Sequence, residues 1–261
     1  MDNIYIRLTR EFNDGRLRAL LASGQAVVLY RLAIMSKDGD WILREDTEAL
    51  DHVIATLGRR GARYRYGAPL DLRWMAHGWS SHFEFRENAL RVRCDFVTRP
   101  PRVSPPTLEA LWASPVQKEA PTVSLPVLAE LKKTNREKDY AVIGEVARQM
   151  DAPRLEALYS RSARDLVRLA REHPEAFRQA AADRPLLASV DKGREEIERL
   201  LDEERRDLIR KNEERLDRYL GAAAGWAEQW PRVSKAIADR PLAEAHAIMA
   251  AEASEYLPHE P

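Results

Sequence analysis

Two aspartates one residue apart, Asp38 and Asp40, lie in SKDGDWIL just after an apolar run, and a third, Asp95, lies in LRVRCDFV. Residues i and i+2 of an extended segment face the same side, so if DGDWIL begins a strand, both carboxylates can meet one cation cluster. Alternation along LRVRCDFV puts Asp95 with Arg91, Arg93 and Val97, on the face opposite Leu90, Val92, Cys94 and Phe96. Three carboxylates gathered without counter-charge are costly to bury. Two divalent ions roughly 3.5–4 Å apart would neutralise such a trio and align an attacking oxygen with a leaving pyrophosphate. Magnesium, which takes carboxylate, phosphate and water oxygens, suits this inventory better than zinc. The bland alternative is a solvated turn, for which aspartate and glycine are favoured.

Other residue sets carry weaker chemistry. His77 and His82 bracket GWSS, and with Ser80 or Ser81 they suggest a nucleophile and base. No glycine-framed nucleophile turn surrounds either serine, and the sequence identifies no third partner. Trp74, Trp79 and Phe83 could stack on a base, although aromatic residues in short strands are usually core. Arg59, Arg60, Arg63 and Arg65, with Arg91, Arg93, Arg99 and Arg102, give the first part a basic bias that would attract an RNA backbone. Alternate arginines on strands are equally ordinary solvent-facing residues. Cys94 reads as a small buried residue among apolar strand-mates.

The elements that must position these residues follow from periodicity. The pattern predicts a helix over Phe12 to Leu21 and a strand over Ala26 to Ala33, whose AVVLYRLA is rich in β-branched and aromatic residues. Leu50, Val53, Ile54 and Leu57 recur at helical spacing over Glu45 to Arg60, with Gly61 as the stop. ARYRYG, LDLRW, SHFEF and LRVRCDFV read as strands, with REN as the hairpin turn between the last two. The fold class is therefore α+β, a mixed sheet flanked by helices and followed by an all-helical C-terminal region. Domains are expected at 1–104 for the core, 105–150 for a proline-rich connector and basic helix packed on it, and 151–261 for the helical region. The charged stretch Asp191 to Arg218 has a thin apolar stripe of Ile197, Leu201, Leu208 and Leu216, which implies a surface helix or a helix paired with a partner or second copy.

Composition excludes several classes. At 44% hydrophobic and 32% charged residues the chain is neither disordered nor a membrane protein, and no apolar run approaches the roughly 20 residues a bilayer requires. The N-terminal MDNIYIRLTREF lacks the apolar core of a signal peptide, so a cytoplasmic location is the expectation. A single cysteine removes disulfide frameworks and thiolate zinc sites. A net charge of zero removes any global basic field.

With the acids in place, the chain resembles the nucleotidyltransferase superfamily that includes DNA polymerase beta, in particular small prokaryotic proteins of the abortive-infection toxin type. The resemblance rests on the small-residue turn ASGQA, the Asp-x-Asp in SKDGDW, the third acid in RCDFVT, and an Arg-x-Lys-Asp signature in ELKKTNREKDYAVI, covering roughly Arg16 to Ala147. It implies that Asp38 and Asp40 ligate two magnesium ions, and that Asp95 ligates the catalytic one and helps deprotonate an acceptor hydroxyl. It implies too that Ser23 and Gly24 hold the β and γ phosphates of a nucleoside triphosphate. Lys132 or Lys133, with Arg136 and Lys138, would neutralise the triphosphate, while Asp139 pairs with a nearby arginine to hold the fold.

Two functions follow as expectations. One is magnesium-dependent transfer of a nucleotidyl group to a hydroxyl on RNA, protein or a small molecule. The other is a binding or interaction module that keeps the fold without the reaction, docking a partner or a second copy through its charged C-terminal helices. Gln25 after Ser23-Gly24, Gly39 between the acids, and Lys37 beside Asp38 depart from the family pattern and motivate the second.

Overall fold

The computed structural model describes residues 3–261. By compactness the chain divides into two units, one running to Val123 and including Asp217–Pro261, the other Ser124–Leu216. The helices after residue 217 therefore go with the sheet, not with residues 151–216.

The first unit begins α1 (Ile4–Phe12), β1 (Ala19–Ala22), α2 (Ser23–Leu29), β2 (Gly39–Leu43), α3 (Thr47–Gly58) and β3 (Arg63–Tyr64). It continues with α4 (Leu72–Met75), β4 (Ser81–Glu87), β5 (Leu90–Val97), α5 (Pro105–Ala113), β6 (Val116–Gln117) and β7 (Pro121–Thr122). The second unit holds α6 (Leu125–Lys132), α7 (Glu137–Arg148), α8 (Pro153–Tyr159), α9 (Ala163–Glu172), α10 (Pro174–Asp183) and a 3-10 segment, Pro185–Lys192. After α11 (Arg194–Ala222) come α12 (Ala224–Ile237) and α13 (Leu242–Tyr256). The protein is thus α+β, with a helical C-terminal region.

Seven strands form one mixed sheet in the order β3-β4-β5-β2-β1-β7-β6. β2 runs parallel to β5 and β1 parallel to β7, and the other pairs are antiparallel. One face is apolar. Trp41, Leu43, Phe83, Phe85, Val92, Cys94 and Phe96 join Phe12 of α1, Leu50 and Val53 of α3, Trp226 of α12 and Met249 of α13 in a single core. The face changes character with the strand period, so the residues between these point the other way.

α3 forms where its spacing predicts, with the Asp46 carboxylate accepting from the Ala49 N–H as N-cap. Gly61 follows at φ 65°, a left-handed position that suits glycine. Three expectations are corrected. Residues 19–22 are a strand where a helix was expected, and AVVL lies in the helix α2 where a strand was expected. There the chain must reverse between the antiparallel β1 and β2, and that connection overrides the β propensity of Val27 and Val28. LDLRW forms the short helix α4, because the Asp71 carboxylate caps its first turn through the Arg73 N–H. The proline-rich connector also contains α5: Pro105 and Pro106 occupy its first turn, where a missing N–H costs nothing, and the Ser104 hydroxyl accepts from the Thr107 N–H.

The second unit has its own core of Leu166, Leu169, Phe177, Leu187, Ile197 and Leu201. Arg184, 5% exposed, donates to the Ala157 and Ser160 carbonyls at 2.8 and 2.9 Å and pairs with Glu204. Ile197 and Leu201 bury the first turns of α11, while its outer face is laced with i,i+3 and i,i+4 pairs such as Arg199 with Glu196 and Glu203.

Candidate functional site

The second sheet face carries the acids. Asp40 is aligned with Ala22 of β1 on one side and Asp95 of β5 on the other, and Asp95 is aligned with His82 of β4. Asp38, just before β2, lies on the same face as Asp40. The three acids named from sequence therefore belong to one face, two of them cross-strand neighbours. Like charges directly opposite are destabilising unless other charges compensate.

Compensation comes from side chains of the same face. The Asp95 Oδ1 atom accepts from His82 Nδ1 at 2.7 Å and from Arg65 Nη1 at 3.2 Å. Arg93 Nη1 stands 3.6 Å from Asp38 Oδ1. That oxygen is buried and has no hydrogen-bond donor among the described residues. A buried carboxylate oxygen without a donor thus lies beside an in-register pair of aspartates. Among the described residues, however, no three His, Cys, Asp or Glu side chains converge closely enough to hold a metal ion. As placed here, Asp95 is turned to an imidazole and a guanidinium.

Tyr5 reports the negative charge. Its hydroxyl is pushed up to about 12, first by burial and further by Cys94, Asp38 and Asp40. It donates to the Lys37 carbonyl, which ties α1 to the turn before β2. Burial likewise holds the Cys94 thiol well above its ordinary value, so it is a core residue and not a nucleophile.

Two of the residues that depart from the resemblance, Gln25 and Gly39, have structural explanations. Gln25 is 2% exposed and its amide donates to the carbonyls of Ser36 and Asp38 at 3.0 and 3.2 Å, so it anchors the acidic turn. At Gly39 a Cβ would lie 2.3 Å from the Trp41 indole and 2.5 Å from the Tyr5 ring. The position between the acids must be glycine because those rings fill the volume. At Gly24 a Cβ would lie 2.3 Å from Ser36 Oγ, so the turn after β1 packs directly on the loop before β2. Ser23, at φ 47°, opens α2 in a left-handed conformation uncommon for a residue with a side chain.

Of the basic residues, Lys132 stands 3.7 Å from Asp139, Lys133 2.7 Å from Glu130, and Arg136 2.7 Å from Asp139. Lys138 is exposed. All four belong to the second unit. Asp139, buried at the start of α7, takes the fold-holding role through Arg136 and Lys132.

Sequence reasoning named His82 and Ser80 but found no third partner; the structure supplies one. Ser80 Oγ lies 2.9 Å from His82 Nε2, while Nδ1 faces Asp95. A carboxylate can only accept, so in the neutral ring Nδ1 carries the proton and Nε2 accepts from the Ser80 hydroxyl. Arg65, too, was named from sequence only as part of the basic bias. Trp74, Trp79 and Phe83 are core: each is at most 6% exposed, and both indole N–H groups donate to carbonyls, of Leu257 and His259.

The chain matches no known family model, and comparison with curated proteins and with solved structures likewise finds no match.

Proposed function

We propose that the sheet unit is a nucleotidyltransferase-like domain that binds a nucleoside triphosphate with magnesium and transfers a nucleotidyl group to a hydroxyl acceptor. One observation carries the reading: Ala22, Asp40 and Asp95 form a single row across β1, β2 and β5. The Ser23-Gly24 turn thus leaves β1 beside the acids, in the order phosphate turn, paired acids, third acid.

Asp38 and Asp40 would hold the metal, with Asp95 joining them on giving up its contacts to Arg65 and His82. Bound magnesium supplies charge neutralisation for the departing pyrophosphate. In the transfer, the acceptor oxygen bonds to the α-phosphorus, the bond to pyrophosphate breaks, and the acceptor proton leaves to a base. The Ser23 hydroxyl and neighbouring N–H groups would bind phosphate oxygens, and Gln25 would keep the acidic turn from swinging away. Replacing Asp40 by Ala abolishes magnesium-dependent triphosphate binding, measured by equilibrium dialysis with each of the four nucleotides. Unchanged binding removes the site.

A second reading is favoured by the ion pairs themselves. Arg93 faces Asp38, and Arg65 with His82 faces Asp95, so the acids are already neutralised in part without a metal. A domain kept for docking a partner needs nothing more. Incubation with labelled triphosphates and cell extract separates the two: label transferred to RNA or protein supports transfer, and none with any nucleotide supports the module.

A further inference from the structure

The sheet unit also contains a cleft of about 660 Å3 whose lining includes Arg60, Arg63, Arg86, Arg91 and Arg240, with Glu84 the one acid among its described lining residues. The arginines arrive from three places: the segment after α3, the β4–β5 hairpin and the turn before α13. Some of this charge is met internally. Arg60 pairs with Glu11 and Glu87, and Arg240 stands 3.5 Å from Glu244. Glu84 is shared, at 2.5 Å from Arg91 and 3.5 Å from Arg63. Burial works against its ionisation, but the hydrogen bond from Arg91 and the charges of Arg91, Arg63 and Arg65 prevail and hold its pKa below the ordinary value.

That leaves an excess. Arg86 is exposed and directly opposite Arg91 in the hairpin register. Two guanidiniums opposite each other destabilise a strand pair, and no burial at Arg86 requires a long side chain there. We infer that this cleft binds the phosphodiester backbone of a nucleic acid. The side chains of Arg63, Arg91 and Arg240 are 64%, 53% and 52% exposed, so beyond the one carboxylate that Arg63 and Arg91 share, these charges are open to solvent along the cleft. Of the apolar lining residues Ala62, Phe85 and Leu242 are each 5% exposed, and the two that are exposed, Ala238 and Pro241, are small, so the cleft lacks the large apolar anchors that a protein partner uses. Phosphate contacts by arginine need no such anchors. The inference rests on these charges and not on the transfer reading.

Fluorescence anisotropy tests it, using the full chain, a short labelled single-stranded RNA and DNA of the same sequence, and buffer free of nucleotide and magnesium. Binding is expected to weaken steeply with salt, each phosphate contact contributing about 0.7 to the log–log slope. Arg86→Gln combined with Arg240→Gln lowers that slope by about 1.4, while Arg86→Lys keeps it. Equal binding of RNA and DNA identifies the backbone as the ligand, and preference for RNA identifies a 2′-hydroxyl contact as well. Lack of binding at low salt overturns the inference, as does binding unchanged in the double variant when its melting temperature is unchanged. Equally tight binding of a polyglutamate peptide also overturns it, in favour of an acidic protein partner. Asp40→Ala leaves nucleic-acid binding intact, so failure of the transfer reading and failure of this one are read separately.

Discussion

Gly39 shows most directly how a single residue sets the geometry of the acids. Because the Trp41 indole and Tyr5 ring occupy the space of its missing side chain, Gly39→Ala is expected to destabilise the protein by about 1–3 kcal/mol. Urea unfolding measures this, and a change under about 0.5 kcal/mol would show that the rings move aside freely. A second residue, His246, sets a pH dependence. It lies 2.7 Å from the Tyr64 hydroxyl, and burial holds its pKa below the ordinary 6.5 despite the charges of Asp71 and Asp51. The unfolded chain therefore takes up the proton more readily, so the stability from neutral His246 is present above about 6.5 and is lost as pH falls through that value toward the folded pKa. Urea midpoints measured from about pH 8 to pH 5 should fall, and His246→Gln should flatten the decline.

At the scale of elements, the β4–β5 hairpin arranges more of the candidate site than any other piece. Its two-residue turn at Asn88 and Ala89, with Asn88 at φ 55°, sets Glu87 against Leu90 and so His82 against Asp95. That pairing follows from the sequence only once the turn is placed at Asn88 and Ala89; a turn at Arg86–Asn88 leaves the register open, because Arg86 and Glu87 belong to β4. The helix α3 was legible from its periodicity and its Asp46 cap. Asp46→Ala removes the cap and a pair with Arg16, and should cost about 0.5–2 kcal/mol. Hydrogen exchange over the first turn of α3 checks it, since protection there should fall before that of the sheet. The short helix α2 was not legible: seven residues offer little periodicity, and its composition argues for a strand.

For the whole molecule, the separate cores described in the two units predict two sensitivities. Phe177 belongs to the core of the second unit, and Phe177→Ala should cost that unit about 3–5 kcal/mol. Amide exchange should accelerate across residues 153–201 while β2, β4 and β5 stay protected. Uniform acceleration of both units would show that they unfold as one.

Period, caps and turn chemistry are local properties, so residue order alone is enough for the acids, their shared strand face, the helix α3, the hairpin strands and the change to helices after the prolines. Folding was needed to bring Asp95 to His82 and Arg65, to set Gln25 against the acidic turn, and to line one cleft with arginines from three distant segments. It also decided that the last helices join the sheet. Those outcomes depend on which strands become neighbours and which volumes are already filled, and contacts between residues far apart in the chain leave no periodic trace along it.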